Sequence, residues 1–129
     1  MDAKDLMIGD LVIHGFGGIG KITEIDSKTV VIKDDGFDIG DGMNEVSFAL
    51  NELTPIPLTD EILVKSGFRK QNNSSGVIKL DTYWLGEEFG FRIHSLETDY
   101  YQFGLAKIRY VHELQHALRL CGIDKDIEI

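Results

Sequence analysis

The chain has 129 residues, 43% of them hydrophobic and 9% aromatic, which fits one compact domain or two small subdomains and excludes disorder as the main state. Its formal net charge of −9 repels phosphate backbones and anionic lipid, so nucleic acid and membrane surfaces are poor partners. The acidity is uneven: residues 1–55 carry 4 Lys/Arg against 11 Asp/Glu, and residues 56–129 carry 9 against 11.

The opening residues MDAKDLMIGD lack the apolar run of a signal peptide, and no stretch approaches the roughly 20 apolar residues of a membrane helix. A single cysteine, Cys121, excludes an internal disulfide and suits a reducing compartment. The expected location is the cytoplasm.

Leu11-Val12-Ile13 is a short apolar run that ends in Gly15, Gly17, Gly18 and Gly20. Ile22 and Ile25 continue it to a turn at Asp26-Ser27-Lys28, followed by the β-branched run Thr29–Ile32 and a stop at Asp34-Asp35-Gly36. Residues 34–45 read as an acidic hairpin loop, and Val46–Leu53 as a returning strand. Short, bent strands over about 55 residues suggest an SH3-like small β-barrel, closed so that no sheet edge is left.

Pro55-Ile56-Pro57 is the expected boundary, because paired prolines force extended backbone. This gives a barrel over 1–54 and a small α+β domain over 55–129. In the second part Thr59 is placed to cap a short helix, with Asp60 and Glu61 in its first turn, and Gly67 to end it. After a polar turn at 71–76, Val77–Leu80, Tyr83–Leu85, Phe89–Ile93 and Tyr100–Phe103 read as a β-meander. A C-terminal helix over about 109–121 completes an α+β fold. Val111, Leu114, Leu118 and Cys121 form its apolar stripe, which packs on the meander.

Two segments look like chemistry. Gly15–Lys21, GFGGIGK, satisfies both the GxxxxGK and the GxGxxG spacing, where backbone N–H groups at a helix start cradle phosphate. Ile22 stands where Ser or Thr would hold magnesium, and a strand rather than a helix should follow, so a glycine-rich β-turn is the better reading. The second segment, His112-Glu113-Leu114-Gln115-His116, is a full HExxH. On a helix both imidazoles share a face and can bind Zn²⁺ while Glu113 activates water. The stripe's rotation puts His116 about 180° and His112 about 140° from its centre, which predicts both on the exposed face. A third ligand would have to come from Asp124, Asp126 or Glu128, beyond the helix-ending Gly122. We therefore expect no bound metal, no cofactor and no catalytic residue here; a zinc hydrolase using His112, His116 and Glu113 is the alternative.

Asp34, Asp35, Asp38, Asp41 and Glu45 do not match the spacing of a calcium loop and read as a solvated acidic segment. Tyr83, Trp84, Tyr100 and Tyr101 could stack bases, but the acidity argues for core or interface. His14 and His94 show no partner in the sequence, and Cys121 reads as packing. The aromatics of 83–103 exceed what one helix covers, which points to self-association as a homodimer.

Residues 52–68, ELTPIPLTDEILVKSGF, and 108–129, IRYVHELQHALRLCGIDKDIEI, resemble an uncharacterised family of small proteins from gut anaerobic bacteria and their phages, with PIPLTEE-L-KCGF and YVHQLQ-L blocks. The resemblance implies a phage or mobile-element setting and a two-part fold. It also implies Gln in place of Glu113 and often Asn in place of His116, which makes HExxH fortuitous in this chain. Residues 9–26 are also similar to the opening strands of CarD-type domains, which are Tudor/SH3-like barrels. Together these readings favour a non-enzymatic protein-binding module, with capture of a small charged ligand at the glycine turn as a third reading.

Overall fold

Alternation along the β-branched segments sets the first sheet. In the computed structural model, Val30 and Ile32 point inward from Thr29–Lys33 while Thr29 and Lys33 face solvent, the period of two of a half-buried strand. That strand is β3. It lies between β2, Ile19–Ile25, and β4, Glu45–Ala49, with β1, Leu11–Ile13, beyond β2. All neighbours are antiparallel. The register of β2 shifts between Ile22 and Glu24, a bulge that bends the strand.

The structure describes residues 1–37, 44–72, 81–86, 91–95, 100–104 and 106–129. It divides into two units, Met1–Ile56 and Pro57–Ile129. Among the described residues no helix is long and apolar enough to cross a membrane.

The core of the first unit gathers Leu6, Val12, Ile22, Val30, Ile32, Phe48 and Leu53, all nearly inaccessible. Burying each of the larger aliphatic side chains stabilises the fold by about 1.5–3 kcal/mol. After β4 a 3₁₀ turn, Leu50–Glu52, carries the chain back to β1, where Thr54 and Ile13 exchange both backbone hydrogen bonds at 2.9 Å. Val46–Leu53 is thus a strand only as far as Ala49. What is present is a four-stranded antiparallel sheet with this one return bridge; a closed barrel is not shown.

The second unit opens with α1, Asp60–Lys65, capped by Thr59 Oγ1, which accepts from Ile62 N–H at 3.2 Å. Among the described residues five strands follow in sequential order: β5 Arg69–Asn72, β6 Asp81–Leu85, β7 Phe91–Ser95, β8 Tyr101–Phe103 and β9 Ala106–Ile108. The last helix, α2, spans Val111–Leu120. The architecture is α+β, mostly antiparallel sheet. The expected strand Val77–Leu80, and Phe89 and Gly90 of another, lie outside the described residues.

Two strands escaped the sequence reading. β5 carries Arg69, Lys70 and Gln71, all exposed, at the edge of its sheet, so nothing apolar alternates along it. β9 is three residues long and pairs with β8, from Tyr101↔Ile108 to Phe103↔Ala106.

On α2, Val111, Leu114 and Leu118 are buried, joined by Ala117. Cys121 is exposed, not packed. It is the C-cap residue, at the end of the helix beyond Leu120, where the chain leaves the helical path. The tail turns back to α1: Glu128 N–H donates to Ser66 Oγ at 2.9 Å, and Lys65 Nζ reaches the backbone oxygen of Ile129 at 2.9 Å.

Candidate functional site

The glycine segment forms the tight turn between β1 and β2. His14 N–H donates to Gly18 O at 2.9 Å, and Gly17 N–H to His14 O at 2.9 Å. Gly17 has φ +88°, a conformation that side chains disfavour. A Cβ on Gly20 would overlap Ile32 Cγ2. These glycines therefore serve a turn and a close strand contact. No helix follows them, and Lys21 is a β2 residue opposite Leu11 and Lys33.

The side chains on this turn form an aromatic platform. His14 is 4% exposed, and its ring stacks on Phe48 with centroids 5.2 Å apart and planes 18° apart. Phe37 tilts against the same imidazole at 4.8 Å. Phe16 stands edge-on to all three, at 5.1 Å from Phe48 and 5.9 Å from both His14 and Phe37. Phe16 is nonetheless 72% exposed. Among the described residues of this unit it is the most exposed large apolar side chain, ahead of Ile8, and it is fixed on a packed base.

Hydrogen bonds hold the platform. His14 Nδ1 accepts from Phe16 N–H at 3.2 Å, so the proton sits on Nε2, which meets Asp34 Oδ2 at 2.7 Å. The His14 bond, followed by Gly36 N–H, holds the Asp34 carboxyl below its ordinary value. Glu52 lies on the other flank, close enough for its Oε2 to meet a Cβ placed on Gly15 at 2.9 Å.

Of the acidic loop, Asp38 and Asp41 lie outside the described residues. Asp34 belongs to the platform, and Asp35 accepts from Asn44 Nδ2 at 3.0 Å.

The HELQH segment is arranged differently from expectation. His112 is 5% exposed rather than solvated, because its ring stacks on Tyr110 at 5.9 Å with planes 7° apart. His116 is half-buried and meets His112 edge-on at 5.6 Å. Glu113 Oε1 accepts from the N–H groups of Arg109 and Tyr110 at 2.9 and 3.0 Å. The carboxylate thus closes the first turn of α2, as the acid of a capping box does. It is not the idle surface group the helix rotation implied. Among the described residues no group of three or more His, Cys, Asp or Glu gathers where a metal could be held. Glu128, one of the tail donors, is carried with its backbone to Ser66, the C-cap residue of α1.

The remaining candidates are engaged in structure. Tyr83 is 2% exposed and donates its hydroxyl to Asp60, which also pairs with Lys70 Nζ at 2.9 Å. Burial first, then the Asp60 bond, pushes the Tyr83 hydroxyl far above its ordinary value. It is no stacking platform for bases. Arg92 lies over Trp84, and Lys107 over Tyr100. His94 Nδ1 meets Thr82 Oγ1 at 3.1 Å, and burial followed by Arg92 pushes its imidazole down. An open cleft of about 930 Å³ in the second unit is lined by Phe91, Phe103, His94, Gln102 and Cys121 among others. Gln102 Nε2 is already spent on Gly104 O at 3.0 Å.

The platform was missed because Phe16 reads as part of a glycine turn and Phe37 as part of an acidic loop. The one available signal was a phenylalanine inside GFGG, where a β-turn puts side chains in water. No protein-family model matches the chain, and neither the curated proteins nor the solved structures compared with it gave a match.

Proposed function

We propose that this chain is a non-enzymatic protein-binding module, acting in the cytoplasm, whose N-terminal unit is an SH3-like barrel that presents Phe16 to its partner. The observation that carries the reading is the exposed Phe16 ring, seated on His14, Phe37 and Phe48. An aromatic anchor held in place loses little freedom on binding, which is why such rings dominate protein interfaces. The −9 charge disfavours nucleic acid as the partner. The resemblance to proteins of gut anaerobes and their phages supports a phage or mobile-element setting, in which the module would engage a host protein.

The zinc-hydrolase alternative loses support at Glu113, whose carboxylate is committed to the backbone of Arg109 and Tyr110, and at His112, which is packed under Tyr110. One experiment addresses both readings. Wild-type protein and Phe16→Ala serve as bait, the retained partner is purified, and direct binding is measured. The proposal expects Phe16→Ala to lose about tenfold or more in affinity. A partner that binds both forms equally, or stoichiometric zinc that is lost in His112→Ala and accompanied by hydrolysis, overturns it.

A further inference from the structure

We infer that the segment taken by the Phe16 platform is cationic, a Lys- or Arg-bearing stretch of the partner protein; this rests on the protein-binding reading above. The described residues 34–37 and 44–52, which supply Asp34, Phe37, Phe48 and Glu52 to the platform, carry four Asp/Glu, namely Asp34, Asp35, Glu45 and Glu52, and no Lys or Arg. Two of these carboxylates flank the turn that carries Phe16. Asp34 lies beside Gly18, where an added Cβ would meet its Oδ2 at 3.0 Å, and Glu52 lies beside Gly15.

The chemistry of the two groups converges on one kind of side chain. An aromatic ring attracts a cation over its face, and the long stem of Lys or Arg packs on apolar surface while its head reaches a carboxylate. Phe16 supplies the ring and the apolar seat; Glu52, exposed and accepting from Ala49 N–H at 3.0 Å through Oε1 alone, and Asp34, partly exposed and accepting from His14 and Gly36, supply the charge. The His14 hydrogen bond keeps Asp34 ionised to lower pH than a free carboxyl. An acidic or purely apolar segment would leave those carboxylates facing like charge or losing water uncompensated.

The test uses the full chain and labelled peptides of alternating Gly with Lys, Arg, Glu or Leu, followed by fluorescence anisotropy at low salt. The Lys or Arg peptide should bind at least about tenfold tighter than the Glu and Leu peptides and weaken with added salt. Phe16→Ala and Glu52→Gln should each lose about fivefold, Phe16→Tyr should keep binding, and Asp26→Asn, on the β2–β3 turn, should change nothing. Equal losses in Asp26→Asn and Glu52→Gln would mean diffuse attraction and overturn the inference. Preference for the Leu peptide, still dependent on Phe16, overturns the cationic segment and leaves the binding module standing. A dimer in sedimentation that Phe16→Ala abolishes makes a second copy the occupant and also overturns it. Absence of all binding and of any dimer removes both readings. Urea unfolding of each variant separates lost contact from lost fold, and the Phe16→Tyr result stands apart from any loss of core.

Discussion

Phe16 N–H donates to His14 Nδ1 at 3.2 Å while the other nitrogen of that ring meets Asp34 at 2.7 Å, so one buried imidazole ties the exposed phenylalanine to a carboxylate twenty residues beyond the histidine. The turn is thereby tied to Asp34, the residue that follows β3.

Asp34 makes this pair pH-sensitive in a defined direction. Its folded carboxyl sits below the ordinary 3.8, so the pair's contribution is complete above that value and is lost as pH falls through the depressed one. Asp34→Asn should therefore cost about 1–2 kcal/mol at pH 7 and progressively less in strong acid. Urea titrations at neutral and acid pH check this; a cost that does not change with pH counts against the pair.

Tyr83 and Asp60 tie α1 to β6. Tyr83→Phe removes the hydroxyl donor and should cost about 1 kcal/mol, held to the low end because the Asp60 side chain is half-exposed and screened. Since the folded Tyr83 hydroxyl titrates above its ordinary 10, the tie is intact below that pH and weakens as pH rises above it. Burial raises the Tyr101 hydroxyl as well, so absorbance at 295 nm should show Tyr83 and Tyr101 resisting alkaline ionisation, and Tyr83→Phe should remove the Tyr83 share of that late step.

Glu113 tests the two meanings of HELQH against each other. As a helix cap, Glu113→Ala should lose about 1 kcal/mol in thermal unfolding while Glu113→Gln stays close to wild type, because the amide oxygen still accepts from Arg109 and Tyr110. Metal content measured on protein purified without added metal should be unaffected by either change. Zinc bound to wild type and lost with either histidine would reverse that assignment.

Gly20 should be the least replaceable residue of GFGGIGK. Gly20→Ala forces a methyl into Ile32 and toward Lys33 O, costing about 1–3 kcal/mol. Gly15→Ala meets chiefly the flexible carboxylate of Glu52 and should cost less. Denaturation midpoints rank the two. Equal stability combined with lost nucleotide binding would instead restore the phosphate-cradle reading.

The strands of the first unit were legible because their apolar residues alternate: Val30 and Ile32 announce β3 without reference to any other segment. The same holds for α1, where Thr59, Asp60 and Glu61 spell a helix start, and for α2, where Val111, Leu114 and Leu118 recur at helical spacing. β5 carried no such mark, because an edge strand of Arg69, Lys70 and Gln71 is stabilised by backbone pairing to β6.

Local pattern therefore determined α1, α2 and the strands with apolar alternation, though not β5, β9 or the burial of His112, since propensity and burial period act over a few residues. Partnership was decided only by the tertiary structure. Asp34 lies twenty residues from His14, Ser66 sixty-two from Glu128, and Phe16 rests on rings from two other segments. Glu113 shows how close the two levels lie. Its position three residues beyond Tyr110 fits a cap as well as a catalytic base, and only the folded backbone, with two N–H groups aimed at the carboxylate, selects the cap.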